Sequence, residues 1–202
     1  MPTPFALKHW IGEVGNEKAE AKMEKAGTRG SLLHSACERL LNGEEVELAK
    51  EFPDKFDKKA LVGFINWANE VKPVVKNIEF PVASTLGYAG TLDLFCEIDG
   101  VPWIIDFKTS SGIYDSHKLQ VVAYQNAFYE MSGVMAEAGI LHLNPRVKKG
   151  YSFYDKMEIK DNLVTVEDFM AVFNLYLVLN GGKIEEPDLT DVYPEKVRLY
   201  EK

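Results

Sequence analysis

The sequence contains only two cysteines in 202 residues, and this scarcity excludes several kinds of cofactor site. An iron–sulfur cluster takes four cysteine ligands, so none can form within one chain. Cys37 lies three residues after His34, but Cys96 is the only other thiol, and one histidine with two cysteines makes a poor zinc site. Because disulfides are rare inside cells, two unpaired thiols are typical of an intracellular protein.

Long hydrophobic runs are also missing. No stretch reaches the roughly 20 apolar residues that cross a bilayer, and residues 1–5 (Met-Pro-Thr-Pro-Phe) start no signal peptide. We therefore expect a soluble, cytoplasmic protein with no membrane partner. At 46% apolar composition, the chain is predicted to form one domain over 1–202, with a peripheral or mobile segment at 1–26 and a C-terminal tail at 183–202.

An excess of positive charge is absent as well, because the net charge is -8. Phosphate contacts come from lysine and arginine, so this charge argues against nucleic-acid binding by bulk electrostatics. Basic residues do gather at Lys25 and Arg29 and in residues 146–149 (Arg-Val-Lys-Lys). The second group is predicted to form a hairpin loop between strands at 138–143 and 151–159, where it either contacts a phosphate backbone or is a solvated turn.

The most informative feature that is present is a predicted β-hairpin carrying two acids and a lysine. The alternation of apolar residues around Asp106 predicts a strand, in which Asp106 and Lys108 share one face about 6.6 Å apart. The run from Tyr88 to Ile98 is also extended, and Asp99-Gly100 favours a two-residue turn. Pairing the residues that flank this turn places Asp93 opposite Asp106, with both carboxylates on one face.

Two carboxylates beside an ammonium group on a half-buried sheet are costly unless something neutralises them. A hard divalent cation does so, and Mg²⁺ commonly binds one or two carboxylates together with substrate phosphates. Lys108 then has a chemical role, either orienting the attacking water or offsetting charge that builds on a phosphate oxygen. The alternative is a buried ion pair between Asp106 and Lys108 with no chemistry.

Helices are predicted on both sides of the hairpin, and each carries polar residues where a core-facing helix is usually apolar. The upstream helix carries His34, and the downstream helix places Gln120 and Tyr124 on one face at i and i+4. Alone, a histidine such as His34 is more often a satisfied, half-buried side chain than a metal ligand, and Gln120 and Tyr124 would be a polar helix flank. The predicted helices run from a cap at Thr28 or Ser31 to Asn42-Gly43, over 119–128, over 58–71, and from Thr165 to Gly181-Gly182.

Four motifs occur in order along the chain: G-T-x-G-x-x-x-H from residue 27, G-T-L-D from residue 90, D-F-K-T-S from residue 106, and Q-x-x-x-Y from residue 120. In residue type, order and spacing this set resembles the RecB-like branch of the PD-(D/E)XK nuclease superfamily. The resemblance covers about half of the chain. It implies an α/β fold with a restriction-endonuclease-like core, in which helices flank a mixed central β-sheet.

The resemblance also implies roles for individual residues. Glu79 stands where many relatives carry an acid before the hairpin, so it is either a further metal ligand or a solvated strand residue. The metal ligands would be His34, Asp93, Asp106 and the backbone carbonyl of Phe107. The catalytic groups would be Asp93, Asp106 and Lys108. The residues that contact the substrate would be Arg29, Thr109, Ser110, Gln120 and Tyr124.

The function implied by the resemblance is that of a DNA exonuclease dependent on Mg²⁺ or Mn²⁺, acting in recombination, repair or replication in a phage, bacterial or mitochondrial setting. Its partners would be DNA ends, with a second copy of the chain or a recombination or replication protein as further candidates. Two alternatives stay open: a structure-specific endonuclease, and a non-catalytic protein that binds nucleic acid with the same fold. The motifs do not determine strand preference or the direction of digestion.

Overall fold

The computed structural model describes residues 12–179 and residue 181. Residues 1–11 of the predicted N-terminal segment, Gly182 and the predicted tail at 183–202 lie outside the described residues. The helices are α1 (Asn16–Leu41), α2 (Leu48–Glu51), α3 (Lys55–Val71), α4 (Asp115–Ser132) and α5 (Val166–Leu179). The strands are β1 (Val74–Ser84), β2 (Tyr88–Ile98), β3 (Val101–Lys108), β4 (Glu137–His142), β5 (Ser152–Tyr154), β6 (Glu158–Ile159) and β7 (Asn162–Leu163).

The first five strands form one mixed sheet in chain order. β2 is antiparallel to both β1 and β3, β3 and β4 are parallel, and β5 returns antiparallel to β4. Because α4 connects the two parallel strands, it provides the crossover that such a pair needs. The predicted α/β fold with a mixed central sheet flanked by helices is therefore confirmed.

The core has two layers, one on each face of the sheet. Successive residues of a strand point to opposite faces, so Ile104 and Ile140 pack with α4, whereas Ile105 and Leu141 pack with α1 and α3. Both cysteines are buried in the layer that contains α1 and α3. Within the described part of the chain, no helix combines the length and hydropathy needed to span a membrane.

The hairpin between β2 and β3 matches the prediction closely. Asp99 and Gly100 both have positive φ, 52° and 80°, which is the conformation of the tight turn that joins antiparallel strands. Ile98 pairs with Val101 across the turn, and the ladder continues to Leu94 opposite Ile105. The turn dipeptide and the alternation of apolar residues are therefore sufficient to define the register.

The predicted start of the first helix is wrong. α1 begins at Asn16 and runs through Thr28, whose hydroxyl donates to the Glu24 carbonyl at 3.0 Å instead of capping a helix. A threonine inside a helix can satisfy its hydroxyl in this way. The predicted end is confirmed, because the helix stops at Leu41 and Gly43 has a φ of 79°.

Other predicted boundaries also differ from the structure, and α4 runs from Asp115 to Ser132 whereas the predicted helix covers 119–128. α3 begins at Lys55 because the Asp54 carboxylate accepts hydrogen bonds from the amides of Phe56 and Asp57 at 2.8 and 3.2 Å. The predicted strand at 151–159 divides into β5 and β6. Met157, which lies between these two strands, is 6% exposed and packs in the core layer beneath α4.

Gly63 of α3 lies so close to the loop before β5 that a side chain has no room. A Cβ at this position would be 2.3 Å from the Gly150 carbonyl oxygen. We expect Gly63→Ala to lower the free energy of unfolding by about 1–3 kcal/mol, because backbone must move. Gly27→Ala is the matched control, since Gly27 is also helical but its Cβ would meet nothing within 4 Å. This variant should gain up to about 1 kcal/mol, and denaturant unfolding of both proteins measures the difference.

Glu130 of α4 holds the turn between β1 and β2. Its carboxylate accepts hydrogen bonds from the amide of Thr85, the hydroxyls of Ser84 and Thr85, and the amide group of Asn126, at 2.6–2.9 Å. These bonds, led by the one from the Thr85 amide, lower the pKa of Glu130 to about 2.

A pKa below its ordinary value of 4.5 means that the ionised carboxylate stabilises the fold above about pH 4.5, and that this contribution is lost as the pH falls towards 2. We therefore expect Glu130→Gln to lower the melting temperature at pH 7 and to flatten its decline between pH 4.5 and 2. Thermal melts across this range, with exposed Glu137→Gln as the control, test the expectation. Equal pH dependence in the wild type and Glu130→Gln would contradict it.

Candidate active site

Glu79 and Asp93 lie at the point in the β1–β2 hairpin where the inward-facing residues switch from one core layer to the other. The neighbouring pair Ile78 and Leu94 packs with α1 and α3, whereas the pair Phe80 and Leu92 packs beneath α4. A regular strand would keep alternate residues on one face. Glu79 lies between the two pairs with a left-handed φ of 47°, so the alternation reverses at this residue.

Asp93 interrupts the ladder between β2 and β3. The last paired residues are Leu94 and Ile105. Two residues further along β3, the amide of Phe107 donates to Asp93 Oδ2 at 2.5 Å. Asp93 Oδ1 lies 3.2 Å from His34 Nδ1. A buried backbone donor and a ring nitrogen therefore fix both carboxylate oxygens, and the carboxylate lies between the sheet and α1.

His34 faces the sheet because its neighbours on α1, among them Leu33 and Cys37, are fully buried. Its ring meets that of Phe107 edge-on, with 6.0 Å between centroids. Burial lowers the pKa of His34, but the hydrogen bond to Asp93 and the charges of Asp93 and Asp106 outweigh burial, so the pKa lies above its ordinary value. The two neighbouring carboxylates therefore stabilise the positively charged imidazole.

Glu79 joins His34 and Asp93 in one cluster. One ligand atom from each of these three residues lies within 4.8 Å of the other two. Burial raises the pKa of Glu79, and the charges of Asp93 and Glu38 raise it further. A non-glycine residue in the left-handed region costs about 1–2 kcal/mol, and here this conformation brings a third donor to the cluster.

Asp106 and Lys108 form a second group on β3. The Lys108 ammonium is 2.7 Å from Asp106 Oδ2, and the two side chains are 16% and 7% exposed. Lys108 also donates to Gln120 Oε1 at 2.8 Å, and the Gln120 amide donates to the Tyr124 hydroxyl at 2.8 Å. Burial, together with the charge of Asp93, raises the pKa of Asp106 to about 6 against the opposing effect of Lys108.

Two glycines of the sequence motifs are explained by close contacts between these groups. A Cβ on Gly90 would lie 2.3 Å from the ring of Tyr124, so the tyrosine packs directly on the β2 backbone. A Cβ on Gly30 would approach Thr109 Oγ1 to 3.2 Å. The absence of a side chain at each position allows α4 and α1 to approach the strands that carry the acids.

An open pocket of about 480 Å³ lies between α1 and the β1–β2 hairpin. Asp106 and Lys108 do not line it; they lie on the next strand, with their contacts directed towards α4. Asp93 contacts His34 and Asp106 contacts Lys108, but the two acids are close enough for the charge of Asp93 to raise the pKa of Asp106. The residues that line the pocket are Gly30, Ser31, His34, Ser35, Glu38, Glu79 and Asp93.

Other predicted contact residues are engaged elsewhere. Arg29 forms an ion pair with Asp57 at the start of α3 and lines a groove on α1 outside the site pocket. The hydroxyl of Ser110 donates to the Gly112 carbonyl at 2.7 Å, within its own loop. In the basic loop, Lys149 donates to both carboxylate oxygens of Glu70 at 2.9 Å, so this lysine already has an acidic partner.

Two histidines near the site were not predicted from the sequence. His142 of β4 pairs with Lys108 in the sheet, is 2% exposed, and places Nε2 2.8 Å from the Ser110 carbonyl oxygen. His117 lies on the first turn of α4, where burial, followed by the charges of Lys108 and His142, lowers its pKa to about 4. The position of His142 depends on the parallel pairing of β3 with β4, a contact between distant segments for which the sequence carries no local signal.

Comparison with known proteins adds distant similarity to solved structures. No family model and no curated protein matches the chain. Among solved structures, the chain is similar to a proposed exonuclease from Eubacterium rectale, at a TM-score of 0.47 and 13% sequence identity, over 84% of this chain and 77% of that one. The interpretation of the site therefore depends on the side chains of this protein.

Proposed function

We propose that this protein is a metal-dependent deoxyribonuclease, and specifically an exonuclease of the RecB-like kind that hydrolyses phosphodiester bonds at DNA ends. One observation carries the proposal. His34, Asp93, Lys108 and Tyr124 come from four separate elements, and close contacts connect them in two adjoining groups. The resemblance to RecB-like nucleases implies one site built from these residues, and these contacts support that interpretation.

The donor atoms fit a hard divalent cation. An imidazole nitrogen and two carboxylates converge within 4.8 Å, and oxygen-rich sites of this kind suit Mg²⁺ or Mn²⁺. Burial and the charges of Asp93 and Glu38 raise the pKa of Glu79, and a bound cation would favour its ionised form. His34, Glu79 and Asp93 would hold the ion, with Asp106 beside them. When bound, it would polarise the scissile phosphate as a Lewis acid.

Lys108 is the residue best placed to act on the reacting atoms. Asp106 and Gln120 fix its ammonium group from two sides, so the charge is preorganised and needs little rearrangement during the reaction. From this position Lys108 would orient the attacking water or stabilise charge on a phosphate oxygen. Tyr124 would hold Gln120 in place through its hydroxyl and could approach the nucleic-acid backbone.

A cleavage assay tests the proposal. Linear single-stranded and double-stranded DNA, labelled at the ends, and a covalently closed circle would be incubated with the protein in Mg²⁺, Mn²⁺ or EDTA. We expect metal-dependent release of nucleotides from linear DNA alone. Cutting of the circle would instead support a structure-specific endonuclease. Binding without cleavage in either metal would support the non-catalytic alternative.

A further inference from the structure

The loop that follows Lys108 is held in one arrangement by its own contacts. Residues 109–114 connect β3 to α4. The Ser110 carbonyl oxygen lies 2.8 Å from His142 Nε2, and the Ser110 hydroxyl donates to the Gly112 carbonyl at 2.7 Å. His142 is fixed by the sheet, so the loop has a rigid anchor beside the proposed catalytic lysine.

Tyr114, at the end of this loop, presents an aromatic ring to solvent. The residue is 52% exposed, although its ring is fixed at two points. Its hydroxyl is 2.8 Å from Ser111 Oγ, and its ring meets that of His117 edge-on at 5.2 Å between centroids. The backbone amide of Tyr114 also donates to His117 Nδ1 at 3.3 Å. A fixed and exposed ring loses little conformational entropy when a planar ligand stacks on it.

The ring lies close to the proposed reaction centre. His117, on which Tyr114 rests, is near enough to Lys108 to feel its charge. Gln120, which binds the Lys108 ammonium, follows Tyr114 by six residues on α4, about 9 Å along the helix axis. Because nucleotides of one strand are spaced by about 3.4 Å, a strand passing Lys108 reaches Tyr114 within a few nucleotides.

The distribution of charge on the protein indicates why an aromatic contact would contribute to DNA binding. The chain carries a net charge of -8, and Arg29 and Lys149, two of the predicted phosphate contacts, are paired with Asp57 and Glu70. Affinity for DNA therefore needs a contribution that does not come from bulk charge. Base stacking on an aromatic side chain supplies it, and the bases of a single strand are available for it.

We propose that Tyr114 is a stacking platform for an unpaired base and makes single-stranded DNA the preferred substrate. The inference rests on the proposed nuclease function, because it places the strand beside Lys108. It assigns Tyr114 to substrate binding and leaves the chemistry to the groups described above.

Binding measured without turnover tests the proposal separately from cleavage. Fluorescence anisotropy in EDTA would compare a labelled 20-nucleotide single strand with a hairpin duplex of the same composition. We expect wild type to bind the single strand more tightly, Tyr114→Ala to weaken that binding about tenfold, and Tyr114→Trp to restore it. Tyr129→Ala is the matched control, since Tyr129 is 49% exposed at the other end of the same helix.

A second measurement locates the contact. Single abasic sites placed along the strand should weaken wild-type binding at one or two positions and leave Tyr114→Ala insensitive there. The proposal is overturned if wild type does not prefer the single strand, or if Tyr114→Ala, folded by circular dichroism, matches wild type or weakens both DNA forms equally. If wild type cleaves no DNA, the nuclease proposal fails, whereas the binding comparison still decides the role of Tyr114.

Discussion

Lys108→Ala is expected to lower the rate of DNA cleavage by at least about a hundredfold while leaving metal affinity nearly unchanged. A positioned proton-transfer group contributes about 10²–10⁴-fold to a rate, and this ammonium is also a preorganised charge. Its contacts are with Asp106 and Gln120, whereas the three-residue donor cluster comprises His34, Glu79 and Asp93. The substitution should therefore lower the cleavage rate much more than it lowers metal affinity.

The measurement for Lys108→Ala is the single-turnover rate on end-labelled DNA at saturating Mn²⁺, with metal affinity determined separately by calorimetry. Exposed Lys156→Ala provides a control for loss of one positive charge. Removal of Lys108 leaves the Asp106 carboxylate buried without its partner, so a thermal melt must show that the variant is folded. A folded variant that cleaves at close to the wild-type rate would contradict the assignment.

Asp93→Asn should have the largest effect on metal binding. Asp93 is one of the three residues of the donor cluster and contacts both His34 and the Phe107 amide. Asparagine keeps an acceptor for that amide but removes the negative charge, so we expect the fold to persist while Mn²⁺ affinity falls by more than about a hundredfold. Replacing a group that only supports a metal ligand typically costs 10–100-fold, and a ligand should cost more.

Calorimetric titration of Mn²⁺ into Asp93→Asn measures this loss, and cleavage should disappear with it. Exposed Asp155→Asn, which removes the same charge away from the cluster, is expected to behave like wild type. Retained Mn²⁺ affinity in folded Asp93→Asn would show that other residues hold the ion.

The parts of the structure that could be predicted from the sequence depend on local interactions. The β2–β3 hairpin follows from alternation and a turn dipeptide, and the end of α1 follows from Asn42 and Gly43. These features need only neighbouring residues. The start of α1 could not be placed, because the Thr28 hydroxyl satisfies either a helix cap or a carbonyl four residues earlier, and the two patterns look alike in the sequence.

The parts of the site that could not be predicted depend on contacts between distant segments. The pairing of β2 with β3 ends at Leu94 and Ile105, and Asp93 accepts a hydrogen bond from the Phe107 amide, a side-chain contact that the alternation of residues does not predict. The placement of Glu79 requires a left-handed residue within a strand. Arg29 was expected to face substrate, yet Asp57 lies near enough to neutralise it.

The irregularity of β1 has a consequence for solubility. This strand is an edge of the sheet, and regular edges can recruit strands from other molecules into aggregates. The register of β1 shifts at Lys76, Glu79 is left-handed, and Pro81 lacks an amide hydrogen. These three interruptions leave no long template for another chain to pair with. The distortion that carries Glu79 to the acidic cluster therefore also protects the protein from edge-to-edge association.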